Sequence, residues 1–410
     1  MATTNNQFIT TDLVSKYALA TFSNNSPYLM TSSRMYQREF EGPEGYKIGD
    51  TIQIRRQNHF IIGDGSVATP QGIIDTTETL TVSHQYNALI QYTVKDLALR
   101  IDDFNREFIQ PAVQEIITKM ELDIGLAAEQ QLYFYTGSPS TSINSFGSLD
   151  SAGAKLLSQG VNISNDAYVA MSLKDGQTLK SALLNNFTPV FNEEIVRQSQ
   201  IGHISYFDAF QSQTIQNHIS GAGPTLHSTD TLLVNGQVTS GNVISLDGAT
   251  TGVTNYFLAN DKISIAGVNS VNPLGRIDTG NPMQFTILQN ANSDVSGNVI
   301  ILVAPTIISD TGNPLRNVTN PIPDNAPVTM NSTFKMNVAY TTRSIDIVCP
   351  PLYKLQVPYT SRAVDEETGL SLTVTQIGDV LSYQNFMRID LLCGFSWHPQ
   401  YASIIMSSPS

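Results

Sequence analysis

The side chains that could do chemistry are few and scattered. Six histidines, His59, His84, His203, His218, His227 and His398, are the candidates for proton transfer or metal ligation, and only His218 and His227 lie near each other in the chain. Acid–base work needs such a ring beside a carboxylate or nucleophile, and a metal needs several ligands converging at fixed spacing. No H-E-x-x-H, C-x-x-C or G-x-S-x-G run is present. Cys349 and Cys393 are too few for a disulfide framework and stand at no metal-type spacing from any histidine. The acidic runs Asp102-Asp103, Glu193-Glu194 and Asp365-Glu366-Glu367 could hold a cation, but a solvated face or a helix cap is the better reading. Gly63-Asp64-Gly65-Ser66 has the glycines of a phosphate loop without its lysine or its following helix, so it reads as a hairpin tip. No catalytic residue, metal or cofactor site is expected, the chain reads as a non-enzyme, and the histidines are expected in surface or interface roles.

Composition points the same way. Charged residues are 14% of the 410, and hydrophobic residues 41%. Typical soluble chains carry roughly 25% charged residues. Ser, Thr, Asn and Gln take the missing share, giving a neutral polar surface that resists association weakly and suits packing against copies of itself. A merely polar globular domain is the plainer alternative. The 35 acidic and 22 basic residues leave a formal charge of -13, and no Lys/Arg cluster marks a phosphate-binding stripe. The N-terminal residues lack a basic start and apolar block, and the longest apolar stretch, Val299 to Ala304, is only strand-sized. A cytoplasmic chain with no membrane span is expected, and its length predicts two or more domains.

The elements that must position these residues follow from periodicity. Residues 1–45 read as a polar arm. Within 46–94, Thr51–Ile54 with Phe60–Ile62 and Leu80–Val82 with Ala88–Tyr92 are strand-like and flank a Gly/Pro-containing tip, which predicts a long hairpin with too few apolar residues for a core. Within 95–139, Ile109, Val113, Ile116, Ile117, Met120 and Ile124 recur three or four apart, predicting an amphipathic helix from about Phe108 to Tyr135. Pro111 fits its first turn or kinks it, and Thr136-Gly137-Ser138-Pro139 ends it. Residues 140–222 read as a mixed unit: helices at Ser148–Gly160 and Leu173–Phe187, a strand at Ala167–Met171, then strand-like pieces at Glu193–Arg197 and Gln200–Phe207. From Gly223 to Phe334 there are ten glycines, no glutamate and only Lys262, Arg276 and Arg316 as basic residues. Strand-sized runs separated by turns predict a small β-barrel or sandwich there. Residues 335–410 are expected to complete the unit begun at 140. The fold class is α+β with an inserted all-β domain.

Three segments, in this order, resemble the major capsid proteins of tailed bacteriophages and herpesviruses, and more narrowly the short-tailed-phage coat proteins with an inserted telokin-like or immunoglobulin-like domain. Asp103-Phe104-Asn105-Arg106-Glu107-Phe108-Ile109-Gln110-Pro111-Ala112-Val113, leading into Met120-Glu121-Leu122-Asp123-Ile124, is similar to the opening of the family's spine helix. Ile201-Gly202-His203-Ile204-Ser205-Tyr206-Phe207-Asp208 resembles its strand before the insertion, and Asn260-Asp261-Lys262-Ile263-Ser264-Ile265-Ala266-Gly267-Val268 a strand inside it.

The resemblance implies the duties of the parts. The hairpin would be an E-loop reaching over a neighbouring subunit, with Gly63, Asp64, Gly65, Pro70 and Gly72 at the contact. The helix would be the spine of the peripheral domain, residues 140–222 with 335–410 the apical domain, and 223–334 the insertion that supports folding and contacts between capsomers. Copies would close into hexamers and pentamers and then an icosahedral shell in the virion, built in the host bacterial cytoplasm. A separate scaffolding protein, a portal protein and packaged double-stranded DNA, enclosed without sequence-specific binding, are the implied partners. No lysine lies between Ile48 and Val94, so an uncross-linked shell is expected. The rival reading is a tail, decoration or carbohydrate-binding β-protein, which the few aromatic residues of 223–334 disfavour.

Overall fold

The computed structural model describes residues 27–36, 51–66, 70–74, 76–93, 105–163, 166–186, 202–353, 355, 359–364, 370–379, 381 and 383–409. These fall into two compact units, one drawn from Met1–Ile54, Glu78–Ile124 and Ile345–Ser396, the other from Arg55–Thr77, Gly125–Ser344 and Trp397–Ser410. The acidic runs 102–103, 193–194 and 365–367, the polar arm before 27 and the strand-like piece 193–197 lie outside the described residues.

The first unit is organised by one long strand, Gln384–Trp397. Its residues from Gln384 pair antiparallel with Ser371–Asp379 on one side and with His84–Thr93 on the other, and Ile345–Val348 and Tyr359–Val364 complete a five-stranded sheet. Met387, Ile389, Leu391 and Cys393 are buried at every second position, the period a pleated strand imposes on a core face. The predicted hairpin is corrected here. Thr51–Arg55 pairs with Thr77–Thr81 and stops, Phe60–Ile62 is not a strand, and Ala88–Tyr92 lies inside His84–Thr93. The reason is burial: Ile54 and Leu80 pack on Val348, whereas residues 62–66 are all exposed and offer a ladder no apolar face to hold it.

Helix Gln110–Gln131 continues a single π-helical turn, Asn105–Ile109. Ile109, Val113, Ile116, Ile117, Met120 and Ile124 are all buried, and Pro111 stands second in the α-helix, directly after the π-helical turn. The helix belongs to the first unit through Ile124 and to the second from Gly125. It ends at Gln131, short of the expected Tyr135, for a reason given below.

The second unit holds a seven-stranded sheet and a barrel. The sheet runs in the order Tyr135–Gly137, Ala402–Ser407, Phe334–Thr341, Ala167–Ser172, Phe207–Ser212, His203–Ile204, with Asn217–His218 also paired to Phe334–Thr341. Helices Phe146–Ser158 and Leu173–Asn186 supply Leu149, Ala152, Leu156 and Leu179 to a core shared with Val169, Met171, Phe207 and Ile405. Ser172 caps the start of the second helix: its Oγ accepts from the Asp175 amide at 3.1 Å and donates to Asp175 Oδ2 at 2.8 Å, while its own amide donates to Asn337 Oδ1 at 2.7 Å. Asn337 Nδ2 and Ser407 Oγ donate to the same carboxylate oxygen, at 3.0 and 2.6 Å, which ties three strands to that helix. The expectation that all of 335–410 completes this unit is corrected for 345–396, which builds the first unit instead. Strand periodicity says which residues face a core but not which core.

The inserted region closes on itself. Its six strands follow the order Val328–Met330, Lys262–Val271, Asp278–Ile287, Val299–Ile308, Ser240–Asp247, Leu233–Val234. The two ends meet through an antiparallel bridge between Leu233 and Pro327 and through the Val328 amide donating to the Leu232 carbonyl at 3.0 Å. A closed barrel leaves no edge open to further strands. Ile244, Ile263, Ile265, Phe285, Ile287, Val299 and Ile301 fill its interior.

Candidate functional site

The predicted contact residues of the hairpin, Gly63, Asp64, Gly65, Pro70 and Gly72, are all exposed. They sit among apolar side chains in water: Ile62 is 87% exposed, Ile73 69% and Phe60 49%. The two arms are joined by Gln71, whose side chain accepts from the Ile61 amide at 2.8 Å and donates to the Ile61 carbonyl. A single glutamine thus replaces a strand ladder and leaves the apolar residues unburied. The predicted helix residues Ile109, Val113, Ile116, Ile117, Met120 and Ile124 are core and present no surface.

A concentration of charge inside the second unit was not anticipated from the sequence. His218, expected at a surface or interface, is 2% exposed. The short strand Asn217–His218 sets it opposite Phe334, whose ring lies 4.9 Å from the imidazole. Nδ1 lies 2.6 Å from Glu129 Oε1, in the last turn of the long helix, and Nε2 lies 2.8 Å from Asp261 Oδ1, one residue before barrel strand Lys262–Val271. Burial pulls its pKa down, but the hydrogen bonds to Asp261 and Glu129, reinforced by their charges, raise it above the ordinary imidazole value. An imidazole bonded to two carboxylates is protonated at both nitrogens and keeps no lone pair for base chemistry.

Lys262 completes the centre. Fully buried, its Nζ donates to the carbonyls of Glu129 and Leu132 at 2.6 Å each and to Thr286 Oγ1 at 2.9 Å. These carbonyls belong to the helix C-terminus, where no further turn can satisfy them and where a cation also complements the helix dipole. This cap is why the helix stops before Tyr135. The following residues turn into strand Tyr135–Gly137, where Gln284 pairs with both main-chain groups of Tyr135 at 3.0 and 2.8 Å. Burial lowers the Lys262 pKa to about 7, against the pull of Glu129 and Asp261. Asp261 is held in turn by the amides of Gly221 and Leu258, at 3.2 and 2.8 Å. Gly221 is required there, since a Cβ would lie 2.5 Å from the Tyr256 carbonyl oxygen. His218 between its two carboxylates and Lys262 on the helix-end carbonyls staple helix, sheet and barrel, with His218, Asp261 and Lys262 buried and Glu129 14% exposed at the edge. The available signal was the pair Asp261-Lys262 heading an apolar strand, an unusual place for two charges.

A family model described as "P22 coat protein - gene protein 5" matches residues 1–406. The chain belongs to the P22 coat protein family. It is a major capsid protein of the tailed-phage type, a structural subunit that assembles into the multimeric shell of the virion. Among solved structures, one from Mycobacterium phage Che8 is similar with a TM-score of 0.48 at 10% identity, over 93% of this chain and 91% of that one. The capsid of Ralstonia phage GP4 gives 0.45 at 6% identity, over 89% and 85%, and the capsid of Cyanophage P-SCSP1u 0.44 at 10%, over 88% and 84%. These likenesses are remote, and the assignment rests on the family match. No curated protein sequence matches the chain.

Proposed function

We propose that this coat subunit forms hexamers and pentamers, and that residues 56–74 act as an E-loop lying over a neighbouring subunit in the shell. The observation that carries the reading is the set of exposed apolar residues Phe60, Ile62, Ile73 and Ile74 on a two-stranded hairpin whose small core lies at its base. Apolar surface that finds no cover within its own chain is stabilised by a partner's surface. Residues 140–222 with 335–344 and 397–410 serve as the apical domain, the barrel as an insertion supporting its folding, and the long helix as the spine.

Assembly uses a separate scaffolding protein and a portal protein, takes place in the host bacterial cytoplasm, and encloses double-stranded DNA without sequence-specific binding. The net charge of -13 supports weak adhesion of the inner wall to DNA, because phosphate contacts need clustered cations. With no lysine between Ile48 and Val94, subunits are held by noncovalent contacts alone. Electron microscopy of purified particles tests the reading: six- and five-fold capsomers with residues 56–74 on a neighbour support it, and hairpins folded back on their own subunit overturn it. Denatured shells run as single subunits on a gel; a covalent ladder contradicts the noncovalent lattice.

A further inference from the structure

A cavity of about 320 Å³ opens in the second unit, walled by the stem of the hairpin, the segment after the long helix and the barrel. Its basic side chains are Arg56, His59 and Arg316, and no Asp or Glu lines it among the described residues. That is the reverse of the chain as a whole, where acids outnumber bases 35 to 22. Arg316 hydrogen-bonds to the Val318 and Thr319 carbonyls, and neighbouring Arg276 to those of Thr311 and Asn313. Neutral carbonyls satisfy the guanidinium donors without cancelling their charge. The field is felt inside: burial, and then the Arg276 charge, lowers the pKa of His59.

Two further features describe what would fit. Tyr133, Phe134, Met283 and Leu315 give the cavity apolar walls. Gln159, also in its lining, is 3% exposed, and its side-chain nitrogen has no hydrogen-bond partner among the described residues. A buried donor without an acceptor is a standing cost to the fold. We propose that this cavity is a receptor for a carboxylate carried on an apolar chain, with Arg56 and Arg316 attracting the charge and the Gln159 amide turning to donate to it. The same chemistry has two sources, a free aliphatic carboxylate or an acidic side chain beside an apolar one on a second copy of this chain; only the second rests on the proposed lattice.

The experiment uses octanoate and the full-length chain kept below its assembly concentration, with methionine methyl groups labelled for NMR. Octanoate shifts the Met283 methyl saturably, and Arg56→Glu, an exposed position, weakens that binding tenfold or more. Gln159→Leu weakens it severalfold while raising the melting temperature, since the partnerless donor is gone. No saturable shift at Met283, or equal affinity in Arg56→Glu, overturns the site. The source is read from assembly kinetics followed by light scattering: slowing in proportion to occupancy assigns the cavity to a neighbour's carboxylate, and an unchanged rate assigns it to a free one. Because binding is measured on unassembled chain, failure of the lattice reading leaves this result intact.

Discussion

The inserted barrel and the hairpin at 51–81 are both β-structure, and they are stabilised in opposite ways. The barrel closes its own edges and buries aliphatic and aromatic side chains from all six strands, so its fold is complete within one chain. The hairpin has two five-residue strands, a small core at Ile54, Leu80 and Val348, and large aliphatic groups in solvent. Under the proposed E-loop reading the subunit has both kinds: one element whose stability is independent of assembly, and one whose apolar surface a neighbour buries. The difference teaches that the buried residues of the closed barrel report on folding, while the exposed ones of the hairpin contribute little to it and are free to report on assembly.

Substitutions can break that comparison. Phe285→Ala, at a fully buried barrel position, is expected to destabilise the unassembled chain by about 3–5 kcal/mol in urea unfolding, because the cavity cannot collapse inside a closed sheet. His218→Ala leaves the buried Asp261 and the partly exposed Glu129 without their shared cation and is expected to cost about 3 kcal/mol in the same assay. A near-neutral result would show the staple dispensable and the barrel independent of the helix.

The pH dependence sharpens the second point. The folded-state pKa of His218 lies above 6.5, so its stabilising contribution is complete below that pH and is lost as pH rises through the raised value. The gap in unfolding free energy between the wild type and His218→Gln should therefore narrow from pH 6 to pH 9. Lys262 contributes the opposite slope: with a folded pKa of about 7 against 10.5 unfolded, its burial cost is greatest below 7 and fades towards 10.5. Lys262→Met removes that slope. The smallest folding effect is expected for Ile62→Ser, within about 0.5 kcal/mol for the unassembled chain. The same change should slow shell formation in light scattering; a folding defect as large as that of Phe285→Ala would erase the contrast.

Much of this architecture was legible. The helix face from Ile109 to Ile124, the strand–helix pair at Ala167–Asn186 and the strand runs of the insertion are local patterns, and local periodicity encodes which side faces a core. Pairing partners were not legible. His84–Thr93 joins Gln384–Cys393 across almost the whole chain, and nothing in either segment names the other. The same limit hid the charged staple: Asp261-Lys262 at the head of an apolar strand is unusual in sequence, but nothing there names Glu129 or His218, and the three converge only when helix, sheet and barrel meet.

By itself, the sequence determined that this protein has a low-charge polar surface, a long amphipathic helix, a glycine-rich β insertion and no recognisable catalytic motif, because composition and periodicity are properties of short windows. Tertiary structure alone decided where the hairpin ends, why the helix stops at Gln131, that the insertion is a closed barrel, and that a histidine expected at a surface or interface is buried between two carboxylates. Those outcomes depend on contacts between residues far apart in the chain, and burial and charge act through distance in space.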